Sequence, residues 1–171
     1  MAAVISGAAT LLSCTDNKIA VVRDPNIRNL PTLTEKGFQT IYSDSAKLQI
    51  IMSAPLIERY TNLDPPYSEF KNGINILFYE GKQEPVATIS AKYGKYHENK
   101  KLWELRDSVV VESDKKMETE LLYWDEDKDL VYTERFVKIT TENETVMGTG
   151  FESNSRFDSY IIKNTSMTIY R

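Results

Sequence analysis

The sequence predicts an all-β protein built of stacked antiparallel hairpins. Three observations carry that prediction. Apolar and polar residues alternate along most of the second half, the period of a half-buried strand. The alternating segments superimpose at a near-constant shift, so one strand-turn-strand unit repeats. All six prolines lie at or before Pro85, and beyond it the only glycines are Gly94, Gly148 and Gly150. No segment shows a convincing helical period.

Taken in chain order, the opening is the exception to a polar sequence. Residues 1–13 carry no charge, although 27% of the 171 residues are charged. That stretch is too short to cross a bilayer, which takes about 20 apolar residues, and has the character of a signal-peptide apolar region. No Lys or Arg precedes Lys18. Two readings stand: the basic segment lies upstream of an internal Met, or this is an unusual apolar terminus. The ending Leu11, Leu12, Ser13, Cys14 resembles a bacterial lipobox. A peptidase needs a small residue beside the cut, here Ser13, and the Cys14 thiol is the nucleophile that takes up a diacylglyceryl group. Cys14 is the only cysteine, so no internal disulfide is possible. Two or three acyl chains anchor a protein stably where one does not. Residues 1–14 are therefore expected to be a lipoprotein signal segment ending in the lipidated Cys14. Residues 15–33, with Pro25 and Pro31 and no periodicity, suit a flexible tether. Residues 34–171 form the β domain.

Within that domain, residues 38–60 give two strands, and an Asn-Gly turn at Asn72 and Gly73 opens another. Trp103, Leu105, Val109 and Val111 share one parity, with Asp107 as its exception. Val131, Thr133, Val137 and Ile139 repeat it at a shift of 28, with Arg135 as the exception. Ile89, Ala91 and Tyr93 overlie Met117, Thr119 and Leu121 at the same shift. A further shift of 30 places Ile161, Met167 and Ile169 over Val131, Val137 and Ile139. Turns are expected at residues 97–101, 113–116, 125–129 and 141–144, each with Asp, Asn or Ser where a turn wants them. The shared parity predicts an apolar interior lined by Ile89, Ala91, Tyr93, Trp103, Leu105 and Val109. Met117, Leu121, Val131, Val137 and Ile139 continue it.

Motifs that suggest chemistry yield to simpler readings. Residues 148–153, GTGFES, lack the third glycine and the following helix of a dinucleotide fingerprint, so Gly148 and Gly150 mark a bulge or a close backbone approach. Residues 125–129, DEDKD, have Leu130 where a calcium loop needs glycine and Phe136 where it needs glutamate. The one histidine, His97, sits in a turn with no second ligand nearby. A net charge of −4 leaves no footprint for nucleic acid. No catalytic set stands out, no cofactor is expected, and the domain reads as non-enzymatic.

The segments PVATISAKYGKYHENKKLWELRDSVVVES, METELLYWDEDKDLVYTERFVKIT and VMGTGFES together resemble the LptC family of lipopolysaccharide-export proteins, over about residues 34–171. The resemblance implies a twisted, open antiparallel β-jellyroll. It implies a periplasmic protein that accepts lipopolysaccharide from an inner-membrane ABC transporter and passes it to a similarly folded periplasmic bridge protein. Well-known members are held by an N-terminal transmembrane helix, whereas this sequence offers Cys14; the inner membrane as its anchor follows from the resemblance. The apolar parity set would then form the ligand groove. The strand-like segment 166–171, with Met167 and Ile169 on the interior parity and Gly148 and Gly150 beside it, would form the edge that docks the bridge protein. The alternative is a lipid-anchored envelope protein of this fold with another amphipathic ligand or a structural role.

Overall fold

A computed structural model describes residues 29–170. The expected signal segment, Cys14 and most of the tether lie outside them. The described residues form eleven strands, with a 3-10 turn at Glu98–Lys100. β1 (Leu33–Asp44) and β2 (Lys47–Tyr60) make a long hairpin. β3 (Tyr67–Phe70), β4 (Ile74–Phe78), β5 (Ala87–Ala91) and β6 (Tyr93–His97) are short. β7 (Leu102–Glu112), β8 (Lys116–Asp125), β9 (Leu130–Thr140), β10 (Glu144–Ser153) and β11 (Tyr160–Tyr170) follow as a meander. All pairings are antiparallel, in one all-β, jellyroll-like sheet. The four connections from β6 to β10 fall where the turn residues were placed.

The pairing pattern shows why so long a sheet has two halves. β4 pairs with β2 through Ile50–Ser53, and β3 pairs with the same strand further on, through Glu58–Tyr60. β3 and β4 are thus two parts of one strand interrupted at residues 71–73. β5 and β6 are likewise two parts of a strand interrupted at Lys92, and β7 pairs with both. At that break the Lys92 amide donates to the Asp107 carbonyl (3.0 Å). The longer strands break at the same height. Asp107 and Ser108 have φ of 65° and 54°, and the β7–β8 register shifts beside them. The β8–β9 and β9–β10 registers shift between Thr119 and Tyr123 and between Thr149 and Phe151. β2 has Pro55 there, which has no N–H to give a ladder.

These breaks form a crease, and the sheet folds along it into two arms. Each arm turns one face inward. Ile76, Ile89, Val111, Met117 and Ile139 come from one arm, and Phe70, Trp103, Leu105, Leu122 and Val131 from the other. Together they form one buried cluster. Removing this apolar area from water contributes roughly 25 cal/mol per Å², which holds the arms together.

The crease also corrects the parity reading. β7 and β9 each carry an extra residue there, so their parity survives: Trp103, Leu105, Val109 and Val111 are buried, as are Val131, Thr133, Val137 and Ile139. β8 carries none, so its buried residues change from Met117 and Thr119 to Leu122 and Trp124. Leu121 therefore turns outward. Tyr93 does too, because the break at Lys92 puts Gly94, which pairs with buried Leu105, on the inner face. In β11 the register brings Met167 opposite Met147 and Ile169 opposite Thr145. Met147 in turn opposes Lys138, and Thr145 opposes Thr140. Met167 and Ile169 thus lie on the outer face, not on the interior parity, and both are exposed. The inner face of β11 is begun by Tyr160 and Ile162, and a register shift between Met147 and Gly148 separates them from Met167.

Candidate functional site

The space between the arms is the site that the fold builds. Nine of the eleven residues expected to line it are buried: Ile89, Ala91, Trp103, Leu105, Val109, Met117, Val131, Val137 and Ile139. The sequence reading missed Phe70, Phe78, Leu122, Trp124 and Phe157, which are as deeply placed. Trp124 and Leu122 sit past the β8 break, where counting from Met117 gives the wrong face. Counting back from the turn at 125–129 would have found them. Phe157 lies in a connection, where alternation gives no signal.

Aromatic rings fill one end of the interior. Trp103 lies between Phe70 (5.6 Å), Tyr96 (4.5 Å) and Trp124 (6.3 Å), by ring centroids. Its indole N–H, at the rim, donates to Glu126 Oε1 (2.7 Å), so the buried ring leaves no polar atom unpaired. The β10–β11 connection, residues 154–159, turns Phe157 into the interior. There the ring lines a cavity of about 10 Å³ with Val111, Met117, Ile139, Phe151 and Tyr160. That is the volume needed for about one water. Around Phe157 the interior is apolar and already full.

The outer face of the second arm carries a largely polar row of residues. Glu58, Glu69, Lys95, Glu104, Tyr123, Tyr132, Glu152 and Ile161 are consecutive partners across β2, β3, β6, β7, β8, β9, β10 and β11. Lys71 Nζ lies 2.5 Å from Glu58 Oε2, and its hydrogen bond holds the Glu58 carboxyl below the ordinary glutamate range. The Lys95 ammonium stands 3.7 Å from the Tyr67 ring centroid. Tyr93 donates to Glu69 Oε1 (2.7 Å) beneath the Arg106 guanidinium, 4.1 Å from its centroid. Burial, with help from Glu69, pushes the Tyr93 phenol up to about 12. Burial and then Glu126 do the same to Tyr96.

The lateral edges differ from the middle. β1 pairs only with β2, and only Phe38 of its residues is buried. β11 pairs only with β10 and is exposed over most of its length. Among the described residues, nothing covers the outer side of either strand. Gly148 serves the second edge. A Cβ there would stand 2.5 Å from the Asn164 carbonyl oxygen and 2.6 Å from Ile162 Cγ2, so only glycine lets β11 lie so close. Gly150, with φ of +75°, makes the break in β10.

Among the described residues there is no cluster of His, Cys, Asp and Glu able to hold a metal. No described helix is long and apolar enough to cross a membrane.

A creased antiparallel sheet, apolar within and, among the described residues, unpaired at both lateral edges, defines a jellyroll-like trough. Comparison with protein-family models matches residues 1–171 to the family described as lipopolysaccharide-assembly, LptC-related. The chain belongs to that family, which implies a role in lipopolysaccharide transport and an envelope setting. No curated protein matches the chain.

Proposed function

We propose that the protein is a lipid-anchored, non-enzymatic carrier. It accepts lipopolysaccharide from an inner-membrane ABC transporter at one lateral edge, shelters the acyl chains between its arms, and hands them to a periplasmic bridge protein at the other edge. The reading rests on family membership and on one observation above all: an apolar interior bounded by two strands, β1 and β11, that no described strand covers.

The physics fits. Each CH₂ of an acyl chain sheltered from water is worth ~0.8 kcal/mol, so a trough with no chemistry of its own can hold one. An open edge is a liability unless a partner adds a strand to it. Cys14 would keep the carrier at the membrane, with its thiol as the acylated atom.

Photo-crosslinking tests the carrier. A photoreactive residue at Leu105 or Val137, inside, should capture lipopolysaccharide, and one at Arg106 or Lys138, outside, should not. Equal capture on both faces excludes an enclosed groove. The filled space around Phe157 favours a second reading, a structural envelope role, under which none of the four positions captures lipid.

A further inference from the structure

Around Phe157 the interior is full and admits an acyl chain only if something leaves, and residues 154–159 are placed to do so. The segment starts at the rim that carries the 125–129 turn, where the Ser155 amide donates to Asp129 Oδ1 (3.1 Å). It then crosses the open side of the trough. Arg156 Nε reaches Glu80 Oε1, between β4 and β5 on the other arm, at 3.8 Å. Phe157 inserts between the arms, only 4% exposed, against Val111, Met117 and Ile139 of the far arm.

We propose that this segment is a strap and Phe157 a removable plug: its ring occupies the place of an acyl chain and swings out when the chain enters. The inference rests on the carrier reading above and specifies how that interior is regulated.

Three observations support it. Phe157 has a φ of +58°, a left-handed conformation that a bulky side chain adopts only under constraint. Burial of the ring supplies the constraint, so a competing apolar occupant removes it. The strap's short bonds are internal or to its own rim: Asn154 Nδ2 to Asp158 Oδ1 (2.7 Å), Arg156 Nε to Asp158 Oδ2 (3.2 Å) and Ser153 Oγ to the Ser159 carbonyl (2.7 Å). Across the opening it has the ring and the longer Arg156–Glu80 contact. The Asn154 Oδ1 atom is buried without a partner, which further lowers what opening costs.

The ligand class follows from the lining. The cleft is apolar, and Lys115 stands at its rim, its ammonium 5.5 Å from the Tyr160 ring centroid and paired with Asp114 (2.7 Å). That combination suits an acyl chain carrying an anionic headgroup, for which the headgroup would compete with Asp114.

The test uses the full chain with fluorophenylalanine at position 157, a photoreactive residue at Val137 in a parallel sample, and lipid A as probe. Lipid A should crosslink at Val137 and should move the fluorine resonance from a buried to a solvent-exposed position. Phe157→Ala should raise apparent affinity roughly tenfold, since the binding-competent fraction scales the apparent constant. If that variant fails to fold, Arg156→Ala, which leaves the core filled, should still speed lipid uptake. Crosslinking at Val137 with an unmoved resonance overturns the plug while sparing the carrier. Absence of crosslinking in every form overturns the carrier reading, and the plug with it.

Discussion

Phe78 and Trp124 meet edge to face, 5.4 Å between ring centroids at 69°, and they come from opposite arms of the sheet. They fasten the arms at the end where the aromatic residues gather. Phe78→Ala should lower stability by about 3–5 kcal/mol, the usual cost of emptying a large core site. A double-mutant cycle with Trp124→Leu should return a coupling of about 0.5–1.5 kcal/mol. Denaturant unfolding measures both. Additive losses would mean that the rings merely share a core.

Gly148 is expected to be the position most specific to the β11 edge. Gly148→Ala drives a methyl into the Asn164 carbonyl, an overpacking worth about 1–3 kcal/mol. Hydrogen exchange should speed in β11 while the amides of β5 and β7 stay protected. Under the proposed function, Gly148→Arg or deletion of residues 166–171 should weaken pulldown of the bridge protein but not of the transporter. Loss of both, with the fold intact, counts against β11 as a dedicated docking edge.

Alkali should act through Tyr93. Its folded-state pKa is raised to about 12 by burial and by Glu69, above the ordinary phenol value near 10. A raised value contributes stability that is fully present below pH ~10 and is lost as pH rises from there toward 12. Tyr93→Phe should flatten that decline, and tyrosinate absorbance should show one late-titrating phenol fewer. A variant whose alkaline profile overlays the parent would place the loss elsewhere.

Lipidation is read by intact mass. Native protein extracted from membranes should lack residues 1–13 and carry acyl mass on Cys14. Cys14→Ser should remain uncleaved and misplaced. A free thiol at Cys14 in the native protein would falsify the anchor.

Most of the trough was legible because alternation directly reports a strand with one buried face. Val109, Val137 and Ile139 needed nothing more. The reading failed where the count of residues across the crease changes parity. Asp107 and Arg135 were visible as exceptions, yet they mark extra residues that preserve the pattern. Leu121 gave no warning, because β8 crosses the crease without an extra residue and a leucine fits either face. The same blindness affected Met167 and Ile169, separated from Tyr160 by the crease and a further register shift. Phe157 was illegible for another reason: its burial is decided by which distant strands lie across the opening, information that no local period contains.

Since β7, β8, β9 and β10 all yield at the same height, the profile between the arms repeats from strand to strand. The molecule behaves as a length of gutter whose extent is set by how many up-and-down pairs the chain contains. Duplicating the 28-residue unit would lengthen the conduit without altering its profile or its two ends. A relay of such proteins can therefore match in bore while differing in size.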